Sequence, residues 1–267
     1  MKKYISFFKI RFISGLQYRA AAWAGIATQF AWGGMTLLMF WAFYQNGENS
    51  FPMTFSELSS YIWMQQAFLA MFMAWFFDGE IFDSITSGNI AYELCRPCDL
   101  YSMWFTKNMA IRLSKGMLRC LPILLVAAFL PYPFNITLPP DFLSGVLFLI
   151  SIVLGFLVLI SFSMLIYISA FYTLSPMGIR MLATSVIEFF AGAVIPLPFF
   201  PEALQPVMYA RPFASMQNTP FMIYVGHISD SEIVKSMVLQ VIWLAVLVIA
   251  GRLLMKHALK KVVVQGG

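Results

Sequence analysis

The sequence predicts an all-α membrane protein. It has six transmembrane helices, an N-terminal amphipathic interfacial helix and a broken re-entrant hairpin between the fifth and sixth spans. Three observations carry this. Hydrophobic residues make up 60% of the 267 residues and charged residues only 11%, against about a quarter charged in soluble domains. Several stretches run about 20 residues with few or no charges, the length a helix needs to cross a bilayer. The basic residues also concentrate in alternate connections along the chain. Residues 1–267 read as a single transmembrane domain.

Residues 1–19 predict a helix lying on the membrane surface. Ile5, Phe8, Phe12 and Leu16 share one face, with Lys2, Ser6, Lys9 and Gln17 off it, while Phe7 and Ile10 interrupt the pattern. The alternative is a plain extension of the first span. A cleaved signal peptide is disfavoured, because the apolar run from Ala20 is too long and no small-x-small site closes it.

The six spans are expected near 21–44, 61–77, 110–131, 142–170, 177–197 and 234–255. The third is the least clean: Arg119 sits near its start, reaching for the headgroups, and Pro122 predicts a kink. The fourth is long for one crossing and should tilt or project.

Charge orients the spans. Fifteen basic residues, from Lys2 to Lys261, fall in the four regions expected on one side, and only Arg211 and Lys235 in the other three loops. That distribution places both termini in the cytosol. Glu48, Glu57, Asp141, Glu202, Asp230 and Glu232 fall outside. The net charge of +5 is therefore explained by topology and anionic lipid, and calls for no nucleic-acid partner.

The connection 78–104 is the longest cytosolic loop and contains Cys95-Arg96-Pro97-Cys98. A disulfide is not expected in a reducing compartment, and zinc would need two further ligands. Cys120 lies within a span, and His227 and His257 lie on opposite sides. The loop's interest lies in its other residues. Its first part can form a short helix with Ile81, Phe82 and Ile85 as apolar contacts, followed by a break at Gly88–Asn89. It serves either as a docking surface or as a connector packed on its own helix ends.

After the fifth span, Pro196, Pro198, Pro201, Pro206, Pro212 and Pro220 forbid one continuous helix, although the segment is apolar and aromatic. The stretch 196–233 reads as an external hairpin of short broken helices dipping into the outer leaflet, or else as a cap on the headgroups. Glu188 is the one carboxylate placed well inside a span. It either lines a pathway or holds helices together. Gln29, Gln65 and Gln66 are further polar residues within spans.

No G-x-x-x-x-G-K-[ST], H-E-x-x-H or G-x-S-x-G occurs, so neither that mode of nucleotide binding nor those hydrolytic chemistries are expected of this chain. Paired carboxylates and His-rich sites of a lipid-modifying enzyme are missing as well.

The layout resembles the permease subunits of type-2 ABC exporters, in particular the bacterial branch with a Leu-x-Arg-Pro element in the loop between the second and third spans. Here that element is Leu94-Cys95-Arg96-Pro97, followed by Asp99, and Gly192, Pro196 and Pro201 match the small-residue and proline element after the fifth span. The resemblance implies a bacterial plasma-membrane permease for an amphipathic or hydrophobic substrate, itself no enzyme and binding no cofactor. ATP and magnesium would sit on a separate cytosolic ATPase docked on residues 79–100. Glu80, Ile81, Asp83, Glu93, Arg96, Pro97 and Asp99 become coupling residues. Two permease chains, identical or different, would enclose a pathway lined by Gln29, Gln65, Gln66 and Glu188, with Pro196, Pro198 and Pro201 at its external gate. A membrane anchor or sensor that moves nothing is the alternative.

Overall fold

The computed structural model describes residues 2–45, 47, 51–173 and 175–260. Glu48 and Lys261, both counted in the charge pattern, lie outside the described residues. The described chain is entirely helical: α1 (Lys2–Leu16), α2 (Arg19–Tyr44), α3 (Phe55–Phe72), α4 (Gly79–Thr86), α5 (Ile90–Leu94), α6 (Leu100–Ala128), α7 (Phe142–Ser169), α8 (Pro176–Phe190), α9 (Gln205–Tyr209), α10 (Pro212–Met216), α11 (Asn218–Val225) and α12 (Asp230–Leu259). Single 3₁₀ turns follow α7 at Ala170–Tyr172 and precede α9 at Leu197–Phe199.

Among the described residues, three helices are long and apolar enough to cross a membrane: α2, α7 with its 3₁₀ continuation, and α12. The chain is thus a multi-pass membrane protein. The other three expected spans fall short for different physical reasons. The polar residues of α3 are hidden inside the bundle: Ser59, Ser60, Gln65 and Gln66 are all buried, so this helix need not be oily. Four basic residues, Lys107, Arg112, Lys115 and Arg119, dilute α6. At 15 residues, α8 is short.

Helix boundaries depart from the hydropathy reading where capping chemistry extends or cuts them. A capping box of Thr54 and Glu57 starts α3 ahead of its apolar run, and a second, of Ser229 and Glu232, does the same for α12. Asp99 caps α6 by accepting from the Ser102 amide at 2.9 Å, well before the expected start of that span. At 29 residues α6 is about 43 Å long, exceeds the hydrocarbon thickness and runs through Pro122 without interruption. Its first three turns extend beyond α3 at the basic end of the molecule. Helix α8, at the place of the expected fifth span, stops at Phe190, because Gly192 takes a left-handed φ of +74°.

Helices α3, α6, α7 and α11 form the packed interior, while α2, α8 and α12 flank it. The face that α1 turns to α6 is Tyr4, Phe7, Phe8, Arg11, Phe12 and Gly15, so Phe7 belongs to the packed stripe and Ile5, Ile10 and Ile13 are exposed. A Cβ at Gly15 would lie 2.0 Å from the Ser114 hydroxyl, which is how closely the two helices approach.

Candidate functional site

A first constellation, holding the expected coupling residues, is built at the basic end from α4, α5 and the first turns of α6. The Asp78 side chain caps α4, accepting from the Glu80 amide at 3.0 Å. Its own amide donates to the Tyr167 hydroxyl of α7 at 2.7 Å. Lys107 of α6 reaches both acids: its ammonium lies 2.7 Å from an Asp78 oxygen and donates to Glu80 at 2.6 Å. Arg11 of α1 approaches the same Glu80 oxygen at 3.6 Å. The hydrogen bond and charge of Lys107 hold the Glu80 carboxyl below its ordinary range.

Ile81 and Phe82 point inward and are almost fully buried. Phe82 meets Tyr167 with ring centroids 5.0 Å apart, and the Arg180 guanidinium lies 5.1 Å from the Phe82 ring. Burial of two such side chains is worth about 1.5–3 kcal/mol each. Ile81 therefore anchors α4 to the spans and is not on the exposed surface where a partner contact was expected. A left-handed Gly88, φ +77°, then separates α4 from α5, at the break read from the sequence.

Glu93 is half-buried and accepts from the Trp104 indole at 2.7 Å, fixing α5 to α6. Asp99 is occupied as the cap of α6 and donates its amide to the Tyr4 hydroxyl at 3.0 Å. Lys3 donates to the Pro97 carbonyl. Left facing solvent are Glu80, Asp83, Tyr92, Leu94, Cys95, Arg96 and Pro97, with Tyr92 74% exposed. Cys95 and Cys98 are free thiols.

Sequence reading missed Arg112. Its side chain is fully buried and donates to the carbonyls of Met71 (3.1 Å), Met73 (2.8 Å) and Phe76 (2.7 Å), as well as to Asn108 (2.8 Å). It takes up carbonyls left open where α3 ends, which buried helix termini require. The signal was present as a basic residue placed inside the third span, but nothing in the sequence says where it points.

A second constellation surrounds the end of α8. Tyr61 donates to the Gly192 carbonyl at 3.1 Å and to the Asn218 side-chain oxygen at 3.2 Å. The Gln65 amide donates to the carbonyls of Gly192 (3.2 Å) and Ala193 (2.5 Å). Asn218 also accepts from the Leu197 amide at 3.3 Å, positioning the turn that begins after Pro196. Pro198 is buried, and Gln205 donates to the Pro198 and Phe200 carbonyls at 3.1 and 2.8 Å, closing the loop around Pro201. A Cβ at Gly192 would lie 2.7 Å from the Tyr61 hydroxyl. The structure thus brings Gln65, Gly192 and the Pro196–Pro198 turn together.

The other candidates are dispersed. Gln29 on α2 is buried, and among the described residues neither its amide oxygen and nitrogen nor the Gln66 oxygen on α3 has a hydrogen-bond partner. Glu188 lines a narrow crevice with Phe72, Met73, Leu159 and Gln217. Behind the break, Gln240 of α12 joins Ser151 of α7 (3.1 Å) to Ser215 of α10 (2.8 Å) through their carbonyls.

No curated protein matches the chain at a significant level. A family model described as ABC-2 family transporter protein matches residues 30–266, from within α2 to the last residue but one. The chain belongs to the ABC-2 family of transporter proteins.

Proposed function

We propose that this chain is the membrane half of an ATP-driven exporter, which with a second permease chain forms the pathway for an amphipathic or hydrophobic substrate. In this reading α2, α3, α6, α7, α8 and α12 are the six spans, and both termini lie in the cytosol of a bacterium, on the side of the basic residues. Members of the family pair with ATPase subunits, which here would carry the ATP and magnesium. The observation that carries the reading is the construction of the α4–α5 element. It presents Tyr92, Leu94, Arg96 and Pro97 outward while Lys107, Arg112 and the buried Ile81 and Phe82 fix it to the ends of α3, α6 and α7.

Such an element acts as a lever. A partner that pulls it moves three spans as one body. At the far end, the α8 break is held by hydrogen bonds from Tyr61 and Gln65 on α3, so motion of α3 reaches the turn at Pro196, Pro198 and Pro201. That turn and the short helices behind it form the external gate, re-entering the outer leaflet. Backbone groups at such depth must be satisfied by protein, and Tyr61, Gln65, Asn218 and Gln240 do this. The exposed apolar faces of α2 (Trp32, Leu38) and α8 (Met181, Leu182) suit a second permease chain, with Gln29 and Glu188 nearest the pathway between them.

The test is reconstitution of the chain with its ATPase in vesicles carrying a fluorescent amphipathic cargo. ATP-dependent accumulation that stops when the ATPase is withheld supports the reading. Cargo binding without accumulation would make the chain an anchor or sensor.

A further inference from the structure

A cavity of about 460 Å³ opens where α1 turns into α2, walled on its other side by α6. Arg11 from α1 and Lys115 and Arg119 from α6 all line it, together with Ser14 and Tyr18. No acidic residue is among its lining. The nearest carboxylates are already engaged: Glu80, 3.6 Å from Arg11, and Asp78 are both held by Lys107. Among the described residues, no carboxylate lies within 4.0 Å of Lys115 or Arg119. The Lys115 ammonium sits 3.6 Å from the centre of the Phe76 ring, and Arg119 reaches only the Ala21 carbonyl, at 3.4 Å.

Three half-buried cations share one cavity and repel each other, and the acids nearest them, Glu80 and Asp78, are shared with Lys107, so an anion would supply the charge they still lack. The start of α2 adds to this attraction. Tyr18 and Ala21, at its first turn, line the cavity, and no side chain caps the helix there. Its 26-residue length sets the positive end of a long helix dipole beside the same space.

We infer that this cavity binds the phosphate ester of an anionic phospholipid, held between Arg11, Lys115 and Arg119. Two features favour a lipid over a soluble phosphate. The walls between the cations are apolar, including Ile111, Leu118 and Ala22. The helices that wall the cavity also carry, next in sequence or within one turn of its lining residues, the exposed apolar side chains of Trp23, Met117 and Leu121, a surface for acyl chains. The inference rests on the orientation proposed above, which puts this corner at the cytosolic leaflet, where anionic headgroups concentrate. Its occupant would fix the corner between α1 and α2, and with it the helix that touches the coupling element through Lys3 and Tyr4.

The experiment is native mass spectrometry of the purified chain, titrated with phosphatidylglycerol or phosphatidylcholine of identical acyl chains, with and without inorganic phosphate. Each cation near a headgroup is worth about fivefold in affinity. Lys115→Gln with Arg119→Gln should therefore cut the preference for the anionic lipid by about twenty-five-fold and leave phosphatidylcholine binding unchanged. Should that double variant not fold, Arg11→Gln reads the same loss at about fivefold. Arg252→Gln, in a separate groove among α1, α6 and α12, should keep the wild-type preference. Equal wild-type binding of the two lipids, an undiminished preference in the cavity variants, or an equal loss in Arg252→Gln would overturn the site. Displacement of lipid by millimolar inorganic phosphate would assign the cavity to a soluble anion instead and overturn the lipid. These readouts need no transport, so they fail or succeed independently of the exporter reading.

Discussion

The Lys107 ammonium lies 2.7 Å from the Asp78 carboxylate, and both side chains are about nine-tenths buried. The contact is an ion pair without hydrogen-bond alignment, since that Asp78 oxygen has no hydrogen-bond partner, and the aligned bond goes to Glu80. Removing one member of a buried pair strands the other charge, at a cost of about 3 kcal/mol or more. Lys107→Met should lower the melting temperature of the purified chain by several degrees, and Lys107→Arg by much less. Equal melting of the two variants would show that the charge pairing does not matter.

Arg112 carries a different load, because its partners are main-chain carbonyls of Met71, Met73 and Phe76. A lysine keeps the charge but cannot span three acceptors with a planar fork. Each buried carbonyl left without a donor costs about 1–3 kcal/mol. Arg112→Lys should destabilise by at least that amount and raise hydrogen exchange in residues 72–79. Protection unchanged there would remove Arg112 as the joint between α3 and the coupling element.

Gly192 and Tyr61 should be energetically coupled. Gly192→Ala meets both a left-handed φ and a hydroxyl 2.7 Å from the new Cβ, and strain of this kind costs about 1–3 kcal/mol. Tyr61→Phe removes one donor while Gln65 and Leu197 keep Gly192 and Asn218 satisfied, so about 1 kcal/mol is expected. In a double-mutant cycle followed by thermal melting, Gly192→Ala should cost less in the Tyr61→Phe background, where the hydroxyl is gone. Strict additivity would contradict the close approach.

The Glu80 carboxyl has a folded pKa below its unfolded value, set mainly by Lys107. Its contribution is present above the unfolded value of about 4.3 and is lost as pH falls through the lower folded value. With a side chain 68% exposed, solvent screening limits it to about 1 kcal/mol at neutral pH. The difference in melting temperature between the wild type and Glu80→Gln should be measurable at pH 7 and shrink below about pH 4. A difference that grows on acidification would reverse the assignment.

Much of the layout was legible in the sequence, because length and charge asymmetry are one-dimensional signals. The apolar runs of α2, α7 and α12, the Gly88 break and the interruption after α8 could all be read residue by residue. Helix starts were misjudged where polar caps precede the oil: Thr54 with Glu57 and Ser229 with Glu232 are capping boxes written plainly in the chain, yet hydropathy passes over them. The coupling residues divided by direction, which no pattern in so short a loop reveals. Ile81 faces in, Glu93 ties α5 to α6, Asp99 caps α6, and Tyr92 was not anticipated as the most exposed aromatic residue of the element. Asp78, Lys107, Arg112, Tyr61 and Asn218 escaped because the partners that join them to other elements lie between 21 and 157 positions away along the chain.

The most direct measurement concerns the outward face of α5. Purified chain carrying Tyr92→Ala with Arg96→Glu should bind its ATPase at least tenfold more weakly in a titration and fail to stimulate ATP hydrolysis. Its melting temperature should stay at the wild-type value, because neither side chain is packed. Wild-type binding and stimulation by that variant would contradict the claim that this element is where the partner's work enters the membrane.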